Sequence, residues 1–184
     1  MTNPKTRRLL TLAHLWFAGL LAPAFLLVAI SGGLYLTGNK GEFKSTPVTL
    51  PASASLDFKS PTLEQDVRDL LKTANIDHKF EYVRNRGTVI QLRPTSRTYL
   101  EFRQTDTGLT AARKVPNFQG KIMELHKGHG PQLFKLYQKA VALGLIGVVF
   151  GGILVGLLAK AYRRQTIIAV VVGSIIFFIL AFFV

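Results

Sequence analysis

Three of the four histidines lie where an imidazole could do chemistry. His126 and His129 are three residues apart in the segment Glu124-Leu-His-Lys-Gly-His-Gly-Pro131, and they would face the same way if that segment were helical. His14 lies near the start of a long apolar run. Because neutral imidazole binds haem iron and transition metals, all three are candidate ligands of a b-type haem. The 126/129 pair is also a weak candidate site for copper or zinc.

Each histidine also has an ordinary structural interpretation. Two ligands alone make a weak metal site, which would need help from Glu124, or from His78 if folding brings it close. Gly128 and Gly130 disfavour a rigid helix there, so the pair could be exposed imidazoles in a polar hinge. His14 could instead bond to lipid headgroups or to a neighbouring helix.

Charge is strongly segregated along the 184-residue chain. All ten acidic residues lie between Thr37 and Pro131, whereas eight of the 23 Lys+Arg residues flank apolar runs. Basic residues in such places set topology and contact anionic lipid headgroups, so the net charge of +13 indicates a lipid bilayer and not nucleic acid. The absence of cysteine excludes disulfides, thiolate metal sites and covalent c-type haem attachment.

Three apolar runs are long enough to cross a bilayer. We predict a cytoplasmic leader and first transmembrane helix over residues 1–36, a second helix over 140–159 and a third over 166–184. The first run is too long for a signal peptide, and no small-x-small cleavage site follows it. Pro23 predicts a kink in this first helix. Ser31-Gly32-Gly33 predicts a smooth surface on which another helix can pack.

The polar segment between the first two spans predicts a small α+β domain. We interpret residues 37–60 as a linker, 61–121 as the domain and 122–139 as an interfacial segment. Helical spacing of apolar residues predicts a helix over 62–75, and alternation predicts about four antiparallel strands, with a hairpin turn at 85–87. The expected fold is therefore three transmembrane α-helices with one inserted α+β domain.

The placement of charge also predicts orientation. The basic leader and the basic turn at 160–165 must share one side of the membrane if all three spans exist, and short basic loops favour the cytoplasm. We therefore expect a cytoplasmic N-terminus and a domain on the outside. In the inner membrane of a bacterium, the outside is the periplasm.

This orientation limits the haem hypothesis. The two axial ligands of one haem lie on opposite faces of one iron, whereas His14 is expected near the inner membrane face and the 126/129 pair near the outer one. A bis-histidine haem would therefore need a second chain, such as a symmetric dimer sharing His14, or a partner subunit. The chain contains no nucleophile elbow or phosphate-binding glycine loop, so we predict no catalytic residues and favour a non-enzymatic role.

Several short motifs resemble those of PepSY-associated transmembrane proteins. The run Arg8-Leu-Leu-Thr-Leu-Ala-His14-Leu-Trp16-Phe-Ala-Gly19 is similar to that family's first helix, which has a basic start, His-x-Trp, a glycine and a terminal Ser-Gly, here Ser31-Gly32. Tyr99-Leu-Glu-Phe with Asp106-Thr-Gly108 resembles a strand and turn of the PepSY domain, and Leu125-His126 the start of the second span. The resemblance covers nearly the whole chain.

This resemblance implies a PepSY-like domain between the first two spans. Larger relatives in that family have four or more spans, and some are haem-containing reductases of iron–siderophore complexes, whereas small members are often accessory proteins. We therefore expect an accessory or assembly subunit that packs on other membrane protein subunits or on a second copy of itself. The alternative is a b-type haem electron-transfer component linked to iron or copper handling.

Overall fold

The chain forms two compact units in a computed structural model that describes residues 4–183. The helical unit holds the chain up to Ala24 together with the chain from Lys139, and the domain unit holds Phe25–Gln138. The elements in chain order are helix α1 (Pro4–Leu36), strand β1 (Phe43–Val48), helix α2 (Leu63–Thr73), strands β2 (Tyr82–Asn85), β3 (Val89–Arg93), β4 (Tyr99–Thr105) and β5 (Gly108–Pro116), and helices α3 (Phe118–His126), α4 (Gln132–Leu158) and α5 (Arg163–Phe182).

Three of the described helices are long and apolar enough to cross a membrane. They are Arg8–Leu36 within α1, Gln132–Leu158 and Arg163–Phe182. Within its described range α5 buries no side chain, which suits a helix whose apolar surface is covered by lipid. This confirms that the chain has three helices of membrane-spanning character. Residues 1–3 and 184, which the predicted first and third spans include, lie outside the described residues.

The helix boundaries differ from those expected near the membrane surface. The second long helix begins at Gln132, inside the predicted interfacial segment 122–139, because Pro131 suits the position just before a helix and ends the irregular stretch. The third begins at Arg163, inside the predicted turn at 160–165. Both helices therefore carry basic residues in their first turns.

The domain unit contains a five-stranded antiparallel sheet in the order β1-β5-β4-β3-β2. Alternation along each strand places every second residue on the face that α2 covers. The core between helix and sheet includes the fully buried residues Val67, Ile90, Leu92, Leu100 and Phe102. The predicted helix over 62–75 and the predicted hairpin with its turn at 85–87 are both confirmed in position.

The structure corrects the interpretation of residues 37–60 as a linker. Phe43–Val48 forms β1, which pairs with β5 from Phe43 opposite Pro116 to Val48 opposite Ala111. The segment Lys44-Ser-Thr-Pro47 has the composition of a linker, and this hid the strand. Pro47 is tolerated because β1 lies at the edge of the sheet, where a strand can lack one amide donor. The sheet therefore has five strands where about four were expected.

Candidate functional site

The densest polar cluster lies where the domain meets the segment leading into α4. The side chain of Glu124 is only 9% exposed, and its Oε2 accepts from Thr95 Oγ1 at 2.5 Å and lies 2.7 Å from His129 Nδ1. Its Oε1 accepts from Lys127 Nζ at 2.9 Å. Arg93, with 2% of its side chain exposed, lies 3.6 Å from Oε2 and donates to Thr95 Oγ1 at 2.7 Å. We call these five residues the Glu124 cluster.

Local backbone geometry brings this cluster together. Asn117 caps α3 by accepting from Gly120 N at 2.7 Å, so Glu124 lies on a well-started helix. Gly128 has φ of +74°, a left-handed conformation that favours glycine, and it ends the helix. The turn lets His129 N donate to Glu124 O at 2.9 Å, and His129 O accepts from Thr95 N at 3.1 Å.

The charges within the cluster follow from burial and hydrogen bonding. Burial alone would raise the pKa of Glu124, but hydrogen bonds from Thr95, Lys127 and His129 outweigh it and lower the pKa below its ordinary value. Burial lowers the pKa of His129, in spite of its bond to the carboxylate. At neutral pH His129 is therefore neutral, and its Nδ1–H donates to an ionised Glu124.

His126 bonds to a different partner. Ser31 is fully buried, and its Oγ donates to Leu27 O at 2.5 Å and lies 2.7 Å from His126 Nδ1. A hydroxyl has one hydrogen, so with Leu27 as its acceptor Ser31 must accept from the Nδ1–H of His126. This places a hydrogen on Nδ1 of His126. The bond connects the end of α3 to the second half of α1.

Further bonds connect the start of α4 to the sheet. Gln132 N donates to Glu81 Oε2 at 2.7 Å. Lys135 Nζ donates to Tyr82 Oη and lies 4.1 Å from the centroid of the Tyr82 ring. With the Glu124 cluster and the Ser31–His126 bond, these contacts join the sheet, α3 and the membrane helices inside the domain unit.

The two histidines of the predicted metal site have different hydrogen-bond partners. His126 bonds to Ser31, and His129 bonds to Glu124. His78 does not lie with them: its charged neighbours are Arg113, Arg97 and Asp77. Burial is the main reason that the pKa of His78 is lowered, and the charges of the two arginines lower it further. Among residues 4–183 no group of three or more His, Cys, Asp or Glu side chains could hold a metal ion.

His14 lies in a second candidate site, in the helical unit. It packs on α4 at two glycines: a methyl group at Gly152 would lie 3.2 Å from His14 Cε1, and one at Gly151 would lie 3.7 Å from Nδ1. The imidazole lines a groove of about 530 Å³ with mostly apolar walls, which include Leu10 and Leu143. Within the described part of the chain, the buried Nδ1 of His14 has no hydrogen-bond partner. Such an atom is costly to bury unless something bonds to it.

Arg93, Thr95 and Ser31 were not predicted as site residues from the sequence. Arg93 and Thr95 flank Pro94 at the end of a strand, where nothing in their types or spacing points to a carboxylate 29 residues beyond Thr95. Ser31 was predicted only as part of a smooth helix surface. The Ser31-Gly32 pair, on which part of the resemblance rests, was the one available signal.

The chain was also compared with known proteins. It gives no significant match to any protein-family model, to any curated protein or to any solved structure.

Proposed function

We propose that the chain is an integral inner-membrane protein of PepSY type that acts as a non-catalytic accessory or assembly subunit of a membrane complex. The Glu124 cluster carries this proposal. It connects the sheet to the segment leading into α4, and the Ser31–His126 bond connects α3 to α1. Within the domain unit, the sheet is thus bonded to the ends of α1 and α4 that this unit contains, and we infer that its free surface is what a partner contacts. In this role His126 and His129 stabilise the junction, and the domain lies in the periplasm.

Small-residue surfaces on the helices support contact with other membrane subunits. Among the described residues, a methyl group at Gly19, Gly33, Gly147 or Gly173 would meet nothing within 4 Å. These positions occur on all three long helices, and small residues allow the backbone of a neighbouring helix to approach closely. Either another subunit or a second copy of the chain could use them.

Purification in mild detergent tests this function. A tagged full-length chain should elute with a partner in fixed stoichiometry, and Glu124→Gln should reduce recovery of that partner because it loosens the domain on its helices. Glu64→Gln, in an exposed ion pair on α2, is the matched control and should leave recovery unchanged. A clean monomer, or equal recovery with both variants, would contradict the proposal.

A second candidate function is b-type haem electron transfer linked to iron or copper handling. The unpartnered Nδ1 of His14 in an apolar groove favours it. The residues present fit a haem in part: the imidazole would supply one axial nitrogen, and the apolar walls would exclude water. A symmetric dimer would supply a second His14. A bound haem would supply a one-electron redox couple.

An absorption spectrum separates the two functions. Protein purified from cells with haem available should show a Soret band if the second function is right. The band should disappear in His14→Ala and persist in the control His78→Ala. Persistence in His126→Ala would restrict the ligand to His14, and a colourless wild-type preparation would remove this function.

A further inference from the structure

A cavity of about 720 Å³ opens in the domain unit, between the C-terminal end of α1 and the end of α3. Its walls combine apolar, aromatic and basic side chains. These walls include Tyr35, Leu36, Lys40, Met123, His126 and Lys127. None of them belongs to the groove around His14.

The rim of this cavity is positively charged. Lys40 Nζ lies 5.1 Å from the centroid of the Tyr35 ring, in the position of a cation over an aromatic face. Lys127 donates to Glu124 at 2.9 Å, yet 42% of its side chain is exposed, so its ammonium keeps hydrogens for a second acceptor. Within residues 4–183 no carboxylate lines the cavity. An anion would therefore meet two ammonium groups and no lining carboxylate.

The walls below this rim are apolar. Met123 is almost completely buried, and Leu36 is 87% exposed although it is a large apolar residue. The candidate membrane span of α1 ends at Leu36. A cavity at that level lies where lipid headgroups meet acyl chains, and it offers a surface to both parts of a lipid.

His126 adds a hydrogen-bonding ring nitrogen. Because its Nδ1 bonds to Ser31, its Nε2 is the ring nitrogen that can bond to a hydroxyl group. The cavity therefore combines cations for a phosphate, a ring nitrogen for a headgroup hydroxyl and an apolar wall for the glycerol and acyl region.

We propose that this cavity binds an anionic phospholipid, with its phosphate between Lys40 and Lys127 and its acyl chains along Leu36. A zwitterionic lipid would bring a second cation to a basic rim, and a free phosphate would leave the apolar walls unused. The site depends on α1 crossing the membrane, and it does not depend on whether the chain is an accessory subunit or carries haem.

Native mass spectrometry of the full-length chain in neutral detergent tests the site. Phosphatidylglycerol should bind more tightly than phosphatidylcholine with the same acyl chains. Each lysine near a headgroup contributes about fivefold, so the preference should be on the order of 25-fold. The double variant Lys40→Gln/Lys127→Gln should lose this preference, and the control Lys44→Gln/Lys79→Gln, at exposed lysines outside the cavity, should keep it.

The single variant Lys40→Gln keeps the test valid if Lys127 is needed for folding. Lys40 is exposed and lies outside the Glu124 cluster, so this variant should fold and lose about fivefold of the preference. Equal binding of the two lipids, or an equal loss in the control pair, would overturn the proposal. Displacement of phosphatidylglycerol by millimolar inorganic phosphate would also overturn it, because the site would then recognise a free anion.

Discussion

The histidines of the two units differ in what their ring nitrogens contact. In the domain unit the Nδ1 atoms of His126 and His129 bond to a buried serine and to a buried carboxylate. In the helical unit the buried Nδ1 of His14 has no partner among the described residues and lines an apolar groove. One residue type thus has hydrogen-bonded ring nitrogens in one unit, and in the other it has a buried ring nitrogen without a partner among the described residues.

A bound group is worth seeking where a buried ring nitrogen lacks a protein partner. A hydrogen-bonded imidazole inside a satisfied network contributes to stability, and removing its partner leaves a polar atom unpaired. An unpaired imidazole in an apolar groove gains from any acceptor, donor or metal that reaches it.

Glu124→Gln should destabilise the protein most. It would leave the buried guanidinium of Arg93 without its counter-charge, and breaking a buried ion pair costs about 3–5 kcal/mol. The measurement is thermal unfolding of the detergent-solubilised chain, followed by circular dichroism. Glu64→Gln breaks an exposed pair and should cost no more than about 1 kcal/mol. Similar losses from both variants would show that the cluster does not stabilise the junction.

Gly156→Ala should destabilise the helical unit by about 1–3 kcal/mol, because the side chain of Thr166 already fills the space next to this glycine. The added methyl group would lie 2.3 Å from Thr166 Oγ1 and 3.2 Å from its Cβ. Unfolding by denaturing detergent, followed by fluorescence of Trp16, the only tryptophan of the chain, reports on this unit.

Gly173→Ala is the control for this variant, since a methyl group there would meet nothing within 4 Å among the described residues. It should leave the unfolding curve nearly unchanged. A curve for Gly156→Ala that overlies that of the control would show that the helices do not pack closely at this point.

Ser31→Ala should cost about 1 kcal/mol, since it removes one acceptor from a partly buried imidazole. It should also change the tautomer of His126, which nitrogen chemical shifts of the ring report directly. Thr37→Val, at an exposed hydroxyl bonded to Leu34 O, is the control and should change neither quantity. A wild-type His126 protonated at Nε2 alone would contradict the assignment made from Ser31.

Acidification should destabilise the domain by a smaller, graded amount. The pKa values of His129 and His78 lie below the ordinary 6.5 in the folded state, so the unfolded chain takes up protons first as pH falls through 6.5. Glu124, whose pKa is also lowered, adds a loss below about pH 4.5.

Unfolding midpoints measured between pH 7.5 and pH 5 test this direction. Each single variant, His129→Gln or His78→Gln, should flatten the pH slope in part, and the double variant should flatten it further. Stability that rises on acidification through this range would contradict the sign of both pKa changes.

The membrane helices and most of the domain could be predicted from the sequence. Long apolar runs and local alternation can be recognised without knowing which distant residues come together. The spans, α2 and the β2–β3 hairpin were therefore predictable. The strand at Phe43–Val48 was not, because its stability comes from pairing with β5 and not from its own composition.

The polar contacts of the candidate site could be predicted only in outline. His126 and Glu124 stood out by type and position, but Ser31 lies 95 residues from His126 in sequence. No local pattern joins such positions. The groove around His14 likewise depends on which face of α4 packs against α1, and the glycines of α4 occur on more than one face.

The periplasmic position of the domain depends on the orientation of the chain in the membrane, and cysteine labelling tests this orientation directly. The chain contains no cysteine, so Lys79→Cys in the domain and Lys160→Cys before α5 each introduce a single thiol. In intact spheroplasts, a membrane-impermeant maleimide should label Lys79→Cys at once and Lys160→Cys only after lysis. Labelling of Lys160→Cys in intact cells, with protection of Lys79→Cys, would contradict the account.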